Sequence, residues 1–175
     1  DYLFRLHRGV RFHDGAPLDA AAVRFSFERA VAPGATNKSR QALFDNIATL
    51  AMPDAHSVAL RLHHPDPHLL FRLGEGPAVI LHPDSAAQAA SNPVGTGPYR
   101  VAHWQRGHGI HLDRADSYRH AAQVRMAQAS FRFLHDPLAQ SAALQAGEID
   151  MAFNFATQTV RRFRDYRHYQ VLIGA

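Results

Sequence analysis

Apolar and polar residues alternate from the first positions of the chain. Tyr2, Phe4 and Leu6 share one parity and Leu3, Arg5 and His7 the other, which predicts an early strand. His13-Asp14-Gly15 reads as a turn, and Pro17-Leu18-Asp19 as a helix start with Asp19 at the N-cap. Val23, Phe27, Ala30 and Val31 then recur at helical spacing until Pro33-Gly34 ends the pattern. A second short helix is predicted over 39–44. Strands over 47–52 and 57–62, joined by a turn at Pro53-Asp54-Ala55, form a hairpin with Val58, Leu60 and Leu62 facing inward. Residues 67–73 predict a short helix, 78–81 a brief buried strand, and 84–90 an Ala-rich helix.

The run Ser91-Asn92-Pro93-Val94-Gly95-Thr96-Gly97-Pro98 holds neither regular structure and predicts a crossover between domains. Strands over 99–105 and 110–114 follow, with Arg106-Gly107-His108-Gly109 as their turn, and a third over 124–134. Asp136-Pro137 opens a helix, with Leu138, Ala142 and Leu144 on its apolar side and Gly147 as its C-cap. Residues 149–155 predict a strand, 157–164 a short helix, and 169–174 a last strand. The expected fold class is mixed α+β. A chain that begins and ends inside strands reads as a piece of a longer protein.

Composition narrows the function classes. Of 175 residues, 46% are hydrophobic and 19% charged, which excludes a disordered chain. With no cysteine, disulfides, thiolate metal sites and cysteine nucleophiles are all excluded. The net charge of +4 and pI near 10 come almost wholly from arginine, Lys38 being the only lysine. Apart from Arg161, Arg162, Arg164 and Arg167 this charge is scattered, so no nucleic-acid partner is expected. No apolar run approaches the roughly 20 residues of a membrane span.

Thirteen histidines invite a metal reading. The tightest groups are His63-His64 with His68, and His103 with His108 and His111. On a strand His63 and His64 point to opposite faces, while His103, His108 and His111 flank one turn. No His-Glu-x-x-His is present and no carboxylate sits at a supporting spacing, so surface histidines and no metal site are expected. Gly95-Thr96-Gly97 lacks the following lysine and helix of a phosphate loop. There is no Gly-x-Ser-x-Gly elbow. Phe153 and Phe155 share one strand face, a pattern that serves a core as well as a ligand platform.

Four segments together resemble the family 5 extracellular solute-binding proteins. The first is Tyr2-x-Phe4-x-Leu6-x-x-Gly9-Val10-x-Phe12-His13-Asp14-Gly15-x-Pro17-Leu18, continuing through Ala20, Val23, Phe25, Ser26, Glu28 and Arg29. The second is Asp54 with Val58, Leu60, Leu62 and Pro65. The third, the most specific, is Asn92-Pro93-Val94-Gly95-Thr96-Gly97-Pro98-Tyr99, followed by Leu112, Arg114 and Tyr118. The fourth is Asp136, Ala143-Leu144 and Ala146-Gly147-Glu148-Ile149-Asp150. Two departures stand out: Ala21-Ala22 replaces the family's acidic pair, and Ala115 replaces an Asn, which is expected to loosen a turn.

The resemblance implies part of a two-lobed periplasmic-binding-protein-like fold. Residues 1–92 would form an accessory domain and 93–175 part of the first ligand-binding lobe, with the second lobe absent from this chain. It implies no enzyme and no cofactor, but a substrate-binding component of an ABC importer, periplasmic or lipid-anchored. Such a protein captures a peptide or related small solute, a nickel chelate among them, and delivers it to permease subunits at the membrane. By the same resemblance Phe153, Asn154 and Phe155 line the ligand cleft, and the strand at 171–173 approaches it. Asn154 would offer one amide donor and one acceptor to a peptide backbone. The same module also resembles the sensor half of certain transcriptional regulators, the alternative reading.

Overall fold

The computed structural model describes residues 1–35, 43–153, 157–164 and 167–172. These fold into two compact units, Asp1–Trp104 with Ile110–Ser130, and Gln105–Gly109 with Phe131–Ala175.

The first unit opens with β1 (Tyr2–Arg5), whose alternation of half-buried and exposed residues matches the sequence pattern. Strands β2 (Ile47–Asp54) and β3 (Ser57–Leu62) complete an antiparallel sheet in the order β1-β3-β2. Phe4 lies opposite Val58 and Tyr2 opposite Leu60. Helix α1 (Ala20–Val31) covers this sheet. Asp19 caps it from an extended backbone, its carboxylate accepting the Ala22 N–H at 3.0 Å. Its end is set one residue before Pro33, where Ala32 turns to φ −57°, ψ 147°, the conformation proline imposes on its predecessor. Val23, Phe27, Leu43, Phe44, Val58, Leu60 and Leu69 close the core, every member of which lies between Tyr2 and Ile80. Full burial of side chains such as Val58 and Leu60 contributes roughly 1.5–3 kcal/mol each. Val31, expected on the apolar face of α1, is exposed.

Several expectations shift here. β2 runs through Pro53, and the hairpin turn falls at Ala55-His56 rather than Pro53-Asp54-Ala55. The strand tolerates a proline because β2 is an edge strand and its register with β3 is irregular between Ala51 and Asp54. Asp54 then accepts the His56 N–H at 2.7 Å. This bond, followed by one from Ser57, holds the Asp54 carboxyl below its ordinary value of 3.8. The segment 78–81 is no strand. A 3₁₀ turn (Gly76–Ala78) leads into it, and the Leu81 N–H goes to the Ser26 hydroxyl, not to a ladder. Short helices α2 (Leu69–Arg72) and α3 (Pro83–Ala86) stand where helices were expected, α3 starting at Pro83 with His82 as its cap. The helix predicted at 39–44 lies mostly outside the described residues, and of it only Leu43 and Phe44 are seen, both helical and buried.

A second sheet runs β4 (Tyr99–Gln105), β5 (Gly109–Arg114) and β6 (Gln128–Arg132) in that order. β6 is shorter than the predicted 124–134, because residues 124–127 and 133–134 are irregular. The turn with Ala115 in place of Asn is formed, the Tyr118 N–H donating to the Ala115 carbonyl at 3.0 Å.

In the second unit α4 (Pro137–Gln145) starts at its proline, with Asp136 accepting the N–H groups of Leu138 and Ala139. Its buried face is Ser141, Ala143 and Leu144, whereas Leu138 and Ala142, expected inward, are exposed. α5 (Thr157–Arg164) buries Phe163, whose ring meets that of Tyr169 edge-on at 4.9 Å. The Tyr169 hydroxyl donates to the Leu144 carbonyl. Residues 169–172 are not a strand, and 173–174 lie outside the described residues.

Candidate ligand-facing segment

Helix α4 ends as its sequence requires. Gly147 takes φ +73°, a conformation that side-chain-bearing residues rarely adopt, and its N–H reaches the Leu144 carbonyl while that of Glu148 reaches Ala143. Glu148 is tied back by Arg132 at 2.9 Å. The chain therefore leaves the helix in a fixed direction at the start of the segment expected to line a ligand cleft.

That segment was predicted as a strand over 149–155. Its described part, 149–153, has no regular structure, since no neighbouring strand pairs with it among the described residues. Met151 and Phe153 are 67% and 66% exposed. Phe153 is thus an aromatic ring offered to solvent, not a core residue. Asn154 and Phe155 lie outside the described residues. Residue 171, expected near the same cleft, is half-buried in irregular chain.

The two glycine-bearing motifs of the resemblance meet each other in the first unit. The His13 N–H donates to the Gly95 carbonyl at 2.9 Å. The Gly95 N–H donates to His13 Nδ1 at 3.4 Å, which leaves Nε2 to donate to the Gly97 carbonyl at 3.0 Å. The imidazole thus clamps both ends of the Gly95-Thr96-Gly97 run. It works as a splice between distant segments, a pairing that sequence reading missed because 82 residues separate His13 from Gly95.

The histidines form no larger centre. His103 and His111 face each other across β4 and β5 with ring centroids 6.2 Å apart, and His111 Nδ1 is bonded to the Ser130 hydroxyl. His108 instead contacts the Arg106 carbonyl. Among the described residues no group of three or more His, Asp or Glu side chains is arranged to hold a metal ion.

Comparison with known proteins accounts for this combination of motifs. Residues 1–174 match the model of the bacterial extracellular solute-binding proteins, family 5. The chain belongs to this family. A curated relative, the glutathione-binding protein GsiB of Pectobacterium atrosepticum, is 31% identical over 156 residues, covering 87% of this chain and 30% of the relative. The GsiB protein of Salmonella typhi is 28% identical over the same share of each chain. The family 5 chain described here thus spans about a third of the length of the relatives it matches. Among solved structures, the binding protein AgaA of A. tumefaciens R10, in complex with agropinic acid, superposes with a TM-score of 0.75 at 30% identity, covering 84% of this chain and 30% of that one. DppA of Helicobacter pylori, in complex with the peptide STSA, gives 0.81 at 23% identity, covering 95% and 37%. The mixed helix-and-sheet fold is therefore that of periplasmic binding proteins. No described helix is long and apolar enough to cross a membrane.

Proposed function

We propose that this family 5 chain is part of the substrate-binding component of an ABC importer, acting outside the cytoplasmic membrane and handing its solute to permease subunits. The observation that carries the reading is the match over residues 1–174 together with a 31% identical relative named for glutathione, itself a peptide. A peptide or related small solute is accordingly the substrate class, with a nickel chelate as the second member to test. Residues 1–92 act as the accessory domain and 93–175 as part of the first ligand-binding lobe. A core whose members all fall between Tyr2 and Ile80 supports that division. Phe153, Asn154 and Phe155 stand at the cleft, a placement supported by the exposed ring of Phe153 following a glycine-capped helix end.

Tight small-molecule sites bury roughly 70–90% of the ligand surface, and a chain spanning 30% of its relatives' length supplies only some of the walls. The 175-residue chain alone is therefore expected to bind glutathione, short peptides and nickel chelates no tighter than about 1 mM, or about −4 kcal/mol. A longer protein that contains it should bind one of these solutes far more tightly. Calorimetric titration of both with the same solute panel tests the reading. Micromolar one-to-one binding by the 175-residue chain would refute the division of the site, and no binding of any peptide-class solute by the longer protein would refute the substrate class.

A further inference from the structure

A basic groove in the first unit is used by neither the family motifs nor the proposed cleft. It encloses about 430 Å³ and is lined by His7, Arg8, Gly9, Ser117, Arg119 and His120 among others, with no carboxylate in its wall. Neither Arg8 nor Arg119 takes part in any ion pair found among the described residues. Asp54 feels Arg8 only at a distance and does not line the groove. The one acid beside it in sequence, Asp116, is held by Arg114 at 3.3 Å and lines a separate depression of about 260 Å³. That depression shares Ser117 with the groove and adds Arg100, Arg114 and His13.

Both walls are held by backbone bonds. On one side the turn containing Arg8 and Gly9 is pinned before and after, by Leu6 N–H to His56 carbonyl at 2.8 Å and Leu18 N–H to Val10 carbonyl at 3.0 Å. Gly9 itself sits at φ +74°, the conformation that lets the turn close. On the other side Ala115 N–H bonds the Pro98 carbonyl at 2.9 Å, and Ala121 N–H the Tyr118 carbonyl at 2.9 Å. Arg8 and Arg119 both line this concave, acid-free surface, and two like charges there repel each other until an anion stands between them. Their planar forks suit the oxygens of phosphate, and a pre-set cradle lowers the ordering cost of binding.

We infer that this groove is a binding site for a multivalent phosphate-class oxyanion, held by the guanidinium groups of Arg8 and Arg119 with the Ser117 hydroxyl as a further donor. The same chemistry is presented by a free polyphosphate and by a phospholipid headgroup at a membrane surface.

The test titrates the 175-residue chain with pyrophosphate at low ionic strength, and separately with vesicles of anionic phosphatidylglycerol and of neutral phosphatidylcholine. The variants are Arg8→Gln, Arg119→Gln and, as a control away from the groove, Arg61→Gln. Binding of pyrophosphate or of anionic vesicles should weaken about five-fold or more in each groove variant, at the upper end of what one exposed ion pair supplies, and stay unchanged in the control. It should also fall as salt is raised. Far-UV circular dichroism checks that each variant is folded, and Arg119→Lys, which keeps the charge without the fork, should retain part of the binding. Binding of pyrophosphate identifies a free anion as the source, and binding of anionic vesicles alone identifies a headgroup. No binding of either, or binding equally weakened by Arg61→Gln, overturns the site.

Discussion

Ser26 is the residue whose removal the structure prices most clearly. It lies inside α1 and is 6% exposed. Its hydroxyl accepts the Leu81 N–H at 2.8 Å and donates its one proton to the Ala22 carbonyl at 2.7 Å, with the Leu81 carbonyl at 3.1 Å as the second acceptor within reach. Leu81 is itself 7% exposed, so water does not replace the hydroxyl. Ser26→Ala leaves the Leu81 N–H without its acceptor, at a cost of about 1–3 kcal/mol for a buried unsatisfied group. The better helix propensity of alanine returns about 0.5 kcal/mol, leaving a net loss of roughly 0.5–2.5 kcal/mol. Urea unfolding followed by circular dichroism should show a lower midpoint at unchanged slope, which separates lost stability from a changed unfolded state. Amide exchange at Leu81 should accelerate more than at Val58. Ser26→Thr keeps the hydroxyl and should retain the protection at Leu81 even where its extra methyl costs stability. A Ser26→Ala variant with an unchanged midpoint and an equally protected Leu81 amide would refute the reasoning.

Three further outcomes are expected. Gly109→Ala places a Cβ 2.5 Å from the Phe131 carbonyl oxygen, a backbone atom that cannot swing away, so it should cost about 1–3 kcal/mol of stability by urea titration, and a neutral result would refute the contact. His13→Ala removes both ring bonds to the 95–97 run and should cost roughly 1–2 kcal/mol, with faster exchange at the Gly95 amide than at Val58; uniform acceleration would mean that the clamp is not local. Because the Asp54 carboxyl is held below 3.8 in the fold, it stabilises the protein above that value and stops doing so as pH falls through its lowered one. The stability gap between the native chain and Asp54→Ala should therefore be constant near neutrality and close as the pH falls below 3.8, and a gap that widened would reverse the sign.

Local chemistry made much of this fold legible. Asp19 and Asp136 are caps whose side chains act on the next three residues, and Gly147 ends its helix by its own backbone freedom, so sequence suffices for all three. The misreadings share a cause. Residues 78–81 and 149–153 carry strand-like apolar residues, but a strand exists only where a second strand pairs with it. Leu81 is instead bonded by a serine 55 residues earlier, which no local window contains. Pro53 read as a turn because proline lacks the ladder donor, yet an edge strand with an irregular register does not need it. Leu138 and Ala142 read as inward because their own helix cannot say which face meets a neighbour. For the site, the exposure of Phe153 could not be separated from burial by sequence, since the same alternation serves both.

The same contrast explains why family membership is readable in this chain while its solute is not. The segments that carry the resemblance do mechanical work that any member needs, whatever it binds. Phe12 is 1% exposed, His13 splices its turn to the Gly95-Thr96-Gly97 run, Ser26 holds Leu81, and Gly147 with Glu148 closes α4. Each of these contacts is made within the protein and commits the groups it uses to holding the fold together. Selectivity must then rest on side chains whose polar or aromatic groups are not already used by the fold. Phe153, with its exposed ring, is of that kind. Residues of this kind leave no periodic signature, because nothing in the packing of the protein constrains them. A substitution at His13 should therefore move stability and leave the choice among solutes unchanged in a longer protein that contains this chain. A substitution at Phe153 should do the reverse. Measuring both affinity and unfolding midpoint for the two variants separates the roles, and a His13→Ala protein that altered solute preference at constant stability would show that the spliced turn belongs to the binding site after all.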